Sequence, residues 1–484
     1  MGNLLVPTRE ITEETLQLAK GAFTDPSAID SRPLRKTYDV ATGLVGVNLE
    51  APSKKLFPVY SPLRNKVARV AAPNGANATE WKAITALNTG KIWPGVAEGA
   101  RNSVVNITTE SKTATFKEMG LDDEVTFKAA ARSKNFEDLR ATAAINLLYM
   151  CMESEEKVIL GGNLTNIGAP AGLAGVGAIT TGGALGAATE YDIKVSALVL
   201  RGYHKAEKAA LVAEADGESA GSAKVDVNTG GGNNSIVATC TALKKAVAYN
   251  WFLSVDAGTP IYAATTTVNS YTFLAVPAAT TAPNTIDKTG NALEYDGMIA
   301  QIEGNATGTL YTSKNNATLT SDAAGGITEF DTILKEMWDT YRLGPDEILV
   351  NSQQAKDITA KIGGSSALAY RIVLQDGQRN VVGGMYVGSY LNKFASSFAE
   401  GVPNEVPIKI HPDLPASTIL FIVYKLPYAN NQVPNVWEME TLREYTHYDW
   451  ALVQRKWEFG IYWDSVLKGY FPKAMAALTN VKAG

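Results

Sequence analysis

Cysteine is almost missing from this chain: there are two in 484 residues, Cys151 and Cys240. They stand far apart in segments of different character, which excludes a disulfide framework and points to assembly in a reducing cytoplasm. Histidine is nearly as scarce, with only His204, His411 and His447. None has a cysteine, histidine or carboxylate at metal-ligand spacing, so no metal is expected. His447 reads as a sheet-surface or interface residue, His411 as a turn residue before Pro412, and His204 as an exposed residue after a strand. No apolar run approaches the roughly 20 residues that cross a membrane. Residues 1–25 mix charges into every stretch, so no secretion signal is expected either. Neither sign of charge prevails, with 44 Lys and Arg against 49 Asp and Glu. A protein that coats nucleic acid by charge alone is basic, so any such contact here is local or weak.

The signatures of catalysis are missing too. There is no phosphate-binding loop of the G-x-x-x-x-G-K-S/T type and no G-x-S-x-G elbow. Gly175-Val176-Gly177 lacks the third glycine and the helix of a dinucleotide site. Asp122-Asp123-Glu124 lacks the alternating oxygen ligands of a hard-metal loop and reads as a solvated turn. The chain is expected to be no enzyme and to hold no cofactor.

What is present is a succession of parts. Residues 1–60 form an arm with one short helix at 12–23 and too little periodicity for a core of its own. Between 51 and 79 lie Lys54, Lys55, Arg64, Lys66 and Arg69 with no acidic residue. This is either a contact for acidic neighbours or packaged DNA, or a solvated basic stretch. Residues 61–118 read as a long two-stranded excursion, with 66–72 alternating and returning through a Thr-rich arm at 102–117. Such an arm is marginal alone and implies support from another subunit. Asn135 opens the best helix signal: Phe136, Leu139, Ala143, Leu147, Met150 and Val158 recur at helical spacing until Gly161-Gly162.

Residues 161–189 contain nine glycines and no charge. Strand-like runs then follow at 195–200, 235–240, 247–255 and 270–276, which suggest a small β-sandwich over 192–280. Cys240 and Trp251 are spaced like the buried cysteine and tryptophan of an immunoglobulin-like domain, without the partner cysteine. An α/β pattern resumes with a helix at 330–341, a buried strand at 348–350 and a helix at 353–362. Strands at 408–411, 419–424, 437–442 and 452–462 precede a closing helical or turn segment at 472–477.

Certain pieces carry a resemblance: Ser61-Pro62-Leu63-Arg64-Asn65 and Thr79-Glu80-Trp81-Lys82; Glu155-Glu156-Lys157-Val158-Ile159-Leu160-Gly161-Gly162; Pro345-Asp346-Glu347-Ile348-Leu349-Val350-Asn351-Ser352; and Gly469-Tyr470-Phe471-Pro472-Lys473-Ala474-Met475. In their order the parts resemble the tailed-bacteriophage major capsid family (the Hong Kong ninety-seven-like capsid fold), which is shared with encapsulins. The resemblance implies an α+β fold. Its parts are an N-terminal arm at 1–60, an extended β-hairpin loop at 61–118, and a peripheral domain at 119–161 and 401–484 with spine helix 135–161. An axial domain at 162–191 and 281–400 and the immunoglobulin-like insertion at 192–280 complete it. It implies self-assembly as hexamers and pentamers into an icosahedral virion shell around double-stranded DNA, built in the host cytoplasm. The implied partners are a scaffolding protein, a portal and a decoration protein, with weak non-specific DNA contact on the inner face and no membrane.

The extended loop is then expected to reach a neighbouring subunit through Arg64, Lys66, Trp81, Lys82, Ile84 and Ile92 or Trp93. Phe136, Leu139, Leu147 and Met150 would line the spine, and Cys240 and Trp251 the insertion core. Lys82 and Lys91 sit where some family members form a lysine–asparagine crosslink. No partner asparagine or assisting glutamate is identifiable, so no crosslink is expected. An encapsulin-type compartment, distinguished by its lack of DNA, and a surface adhesin or glycan-binding β-protein are the alternatives.

Overall fold

The computed structural model describes residues 60–73, 75–87, 93–102, 104, 106–133, 138–206, 216–278, 281–305, 310–363, 387–395, 404–428 and 433–484. The expectations for the arm, Lys54, Lys55, Lys91, Ile92, Asn135 and Phe136 lie outside them. The chain divides into two units, 1–55 with 128–139 and 56–127 with 140–484. Of the first, the described residues include most of the short helix Phe127–Ser133. Everything below concerns the second, apart from Leu139, the first residue of the long helix.

A helical turn, Pro62–Lys66, opens the described chain, with proline where an N–H is not needed. Strand Ala68–Ala71 follows and pairs parallel to Trp437–Asp449, Ala68 opposite Glu438. It belongs to a four-stranded sheet ordered Ala68–Ala71, Trp437–Asp449, Lys456–Gly469, Lys117–Thr126. This corrects the hairpin expected from 66–72. The residues form a strand, but their partner is the body sheet, and Val67 on the strand's flank is buried in the core. The excursion is instead the antiparallel ribbon Ala78–Ala86 with Thr108–Thr115. Asp122, Asp123 and Glu124 lie inside strand Lys117–Thr126, not in a turn. There the Asp122 carboxylate accepts bonds from the Trp450 indole and the Tyr462 hydroxyl. Gly120 is required in that strand because a Cβ would meet the Tyr462 ring at 2.4 Å.

Helix Leu139–Gly161 spans 23 residues, about 35 Å at 1.5 Å per residue. Leu147, Cys151, Glu155 and Ile159 repeat every four residues and are buried, as a packed stripe requires. Leu139 is half-buried. Met150, expected on that stripe, lies off it and is 41% exposed.

A six-stranded sheet runs Tyr311–Ser313, Ala476–Thr479, Ile419–Ile422, Glu347–Val350, Glu405–Ile410, Ser389–Leu391. Its central strands are buried on both faces, hence their continuous apolar runs. Helix Thr328–Tyr341 turns Phe330, Ile333, Leu334 and Met337 to the core, and Arg342, at φ 56°, ends it in a left-handed cap. Strands 405–410, 419–422 and 476–479 share this sheet with 347–350, so the expected division of domains at 401 does not follow the pairing.

A second core, with Tyr249, Trp251, Leu253, Phe273 and Cys240, lies between two antiparallel sheets. One is ordered Ile261–Thr266, Ala248–Val255, Glu190–Leu198, Val225–Asn228; the other Ser270–Phe273, Ser235–Thr239, Ala174–Ala178. Counted along the chain, the seven strands are ordered 6-5-2-3 and 7-4-1. An immunoglobulin constant-type domain has 1-2-5-4 and 3-6-7, so the strand order departs from the one expected. The first strand also begins at Ala174, ahead of the predicted boundary at 192. Its glycines hid it: a Cβ on Gly177 would meet the Thr229 carbonyl oxygen at 2.0 Å, so only glycine lets the chain pass.

Candidate assembly surfaces and the clamp at their base

The ribbon leaves the body over a short, well-held base. The Ile84 N–H donates to the Tyr470 carbonyl at 2.7 Å, and the Trp81 indole N–H to the Gly469 carbonyl at 3.1 Å. Ala83 is buried, and Ile84 packs against the main core. Trp81 and Ile84, expected to meet a neighbouring subunit, make these contacts within their own chain and remain half-buried. Tyr470 and Gly469 supply partners that no local sequence pattern announces.

Leu87 packs against the main core as well, and the bare part of the ribbon is the distal half of its returning strand. Thr108, Thr109, Glu110 and Ser111 are all exposed, so both faces of that strand lie open. Lys82 is exposed on the opposite strand. In the connection, Trp93 is 78% exposed and Val104 81%, with Val96 and Ile107 also exposed. A second apolar end lies at the turn of the long body hairpin, where Trp450 and Leu452 are exposed and Val453 is 84% so. Exposed apolar groups clustered in this way mark contact surfaces.

Arg64 and Lys66 face inward. The Arg64 Nε donates to Glu155 Oε2 at 2.7 Å, and Arg69 reaches the same oxygen at 2.7 Å. The Tyr445 hydroxyl donates to it as well. Glu155 is fully buried on the long helix. Burial opposes the Arg64 charge, but the Tyr445 hydroxyl and Glu155 outweigh it and raise its pKa. Burial, then Glu155, push the Tyr445 phenol upward, so it stays a donor. Lys66 pairs with Glu347, which also accepts from the Tyr424 hydroxyl.

Glu156, equally buried, caps the first helical turn. It accepts the N–H of Leu63 at 2.9 Å and of Arg64 at 2.7 Å. These N–H groups have no partner within the turn, and Ser61 provides no side-chain cap. His411 completes the carboxylate's contacts, Nε2 to Oε1 at 2.9 Å. Its Nδ1 accepts the Asp413 N–H at 3.2 Å, which places the ring proton on Nε2. His411 is therefore a buried clamp residue, and its carbonyl also opens the expected turn, accepting the Leu414 N–H at 3.3 Å. His204 lies in helix Leu200–Ala206, near Asp413, and is not free in solvent. The sequence reading missed Glu155, Glu156, Tyr445 and His411 as a set. The available signal was Glu155 falling on the buried i, i+4 stripe.

Among the described residues no group of three His, Cys, Asp or Glu could hold a metal ion. Cys151 and Cys240 are buried thiols whose pKa burial raises, so neither is a ready nucleophile. Trp251 is fully buried, its indole N–H donating to Thr266 at 2.7 Å.

No protein-family model and no curated protein sequence matches the chain. Solved structures do. The chain is similar to a cyanophage A-1(L) capsid asymmetric unit at 10% identity and a TM-score of 0.45, over 92% of this chain and 99% of that one. The capsid of a native GTA particle is similar at 8% identity and 0.44, over 92% and 98%. The holo-SrpI encapsulin complex from Synechococcus elongatus is similar at 9% identity and 0.37, over 93% and 95%. Each match covers more than nine-tenths of both chains.

Proposed function

We propose that this chain is the major subunit of a closed shell. Copies assemble as hexamers and pentamers into an icosahedral capsid around double-stranded DNA, as tailed-phage major capsid proteins do. The observation that carries the reading is the ribbon. Its base is bonded to its own body, while Thr108, Thr109, Glu110 and Ser111 are uncovered on both faces and the connection exposes Trp93, Val96, Val104 and Ile107. A two-stranded ribbon is marginal in water by itself. Another copy of the same chain, supplied at the high local concentration of a shell, covers it. The contact residues are the distal ones, and Trp81 and Ile84 set the angle at which the ribbon leaves. A scaffolding protein, a portal and a decoration protein fit this role as partners, and the virion is the implied location.

Negative-stain microscopy of the purified protein, with nucleic acid measured in the same particles, is the test. Closed shells containing double-stranded DNA after packaging support the reading. Shells that never take up DNA would move it to a cell-made compartment, and a dispersed monomer at high concentration would end it.

A further inference from the structure

A cavity of about 250 Å³ lies where the ribbon meets the body. Trp81 and Lys112 of the ribbon, Lys117 just past it, and Lys245 stand around it, with Gln301 and Asn305 of helix Met298–Asn305 behind. The cations are unevenly matched. Lys112 pairs with Glu110 at 3.0 Å. Lys117 donates only to the Ala292 carbonyl, at 2.8 Å, and Lys245 only to the Thr165 hydroxyl, at 3.3 Å. Among the described residues neither has a carboxylate within ion-pair distance. The cavity's one lining carboxylate, Asp296, is bonded to the Leu164 N–H at 2.9 Å.

Lys245 is also held in place. Its backbone sits at φ 68°, where a non-glycine residue is uncommon, and its N–H donates to the buried Glu303 carboxyl. Burial pushes Glu303 up to about 8, so near neutral pH it is largely uncharged and does not offset the ammonium above it. The volume limits the occupant. Drug-sized ligands need about 300–1,000 Å³, so this space suits a small ion and excludes a whole nucleotide.

We propose that the cavity is an anion site for phosphate-class ligands, with Lys117 and Lys245 as its main cations and Lys112 at its mouth. The ligand is either a free phosphate or short polyphosphate, or one phosphate of a nucleic-acid strand. Bound there, it joins the root of the ribbon to the body and stiffens the ribbon's angle. The site does not depend on the shell reading, since a chain that never assembled would carry it unchanged.

Calorimetric titration of the full-length chain with sodium tripolyphosphate, at constant ionic strength in chloride, tests this. Saturable binding is expected, with at least a tenfold weaker affinity in Lys117→Met/Lys245→Met and no change in Lys335→Met. The same probe should raise the melting temperature of the parent and not of the double variant, which keeps the result readable if the variant is less stable. Equal binding by parent and double variant, or none by the parent, overturns the proposal. A short single-stranded oligonucleotide that binds with the same lysine dependence assigns the site to nucleic acid, and its failure assigns it to the free ion. Sulfate, whose charge is constant over the range, should bind more weakly as pH rises from 7 to 9, and Glu303→Gln should flatten that dependence.

Discussion

Glu155 and Glu156 do at residue scale what the fold needs at the entry to the ribbon. Two carboxylates out of solvent are costly unless every lone pair and partner is matched. Here Arg64, Arg69 and Tyr445 all meet Glu155 Oε2, and His411 and two backbone N–H groups meet Glu156, while Glu155 Oε1 is buried without a hydrogen-bond partner among the described residues. Removing one charge leaves the others unpaired. Glu155→Gln is expected to cost about 2–4 kcal/mol, toward the low side of the buried-pair range because both arginines keep some contact with water. Urea unfolding reads this as a lower midpoint, and an unchanged midpoint would show that the clamp contributes nothing net. Glu303 makes a prediction of opposite sense. Its folded pKa is raised from the ordinary 4.5 to about 8, so the folded chain keeps a proton that the unfolded chain has released. Its contribution is whole below pH 4.5 and is lost as pH rises toward 8. Glu303→Gln should therefore gain on the parent as pH rises from 5 to 9. A constant difference between the two across that range would contradict this. Little of the residue-scale detail is legible from local sequence. Glu153-Ser154-Glu155-Glu156-Lys157 looks like a solvated charged run, and only its phase against Leu147, Cys151 and Ile159 shows that Glu155 points inward.

At the scale of elements, the ribbon carries the most exposed connection, with Trp93 and Val104 in water. Arg101 lies in its exposed connection. Trypsin is expected to cut there in unassembled protein and to spare it in assembled particles. Equal cutting in both states would mean that the ribbon stays uncovered. The sequence showed the ribbon's existence, the long helix and the helix at Thr328–Tyr341, because each has a strong local period. It misplaced the ribbon's first strand, because alternation marks a strand without naming its partner. Ala68–Ala71 pairs with residues some 370 positions away. The glycine-rich strand Ala174–Ala178 escaped notice because its glycines answer to close approach by Val227 and Thr229, which only the folded chain reveals. Trp251 and Cys240 share a buried core, and the strand order around them is not the immunoglobulin one.

For the whole molecule, the account turns on completion by copies of itself. Two separate apolar groups, Trp93, Val96, Val104 and Ile107 in one and Trp450, Leu452 and Val453 in the other, are left in water. Obligate interfaces that bury such groups commonly run to roughly 2,000 Å² or more. Assembled particles are expected to dissolve into a single band near 51.6 kDa on denaturing electrophoresis. Lys82, though exposed on the ribbon, has no identified partner with which to form a covalent link. A ladder of heavier bands would show that such a partner exists. The most direct measurement is sedimentation velocity of the parent beside Trp93→Ser/Val104→Ser/Ile107→Ser. These three side chains make no core contact in their own chain, so the variant should fold with an unchanged melting profile. The account predicts large, uniform particles for the parent and a folded, slowly sedimenting species for the variant. Particles of equal size and yield from both would contradict it.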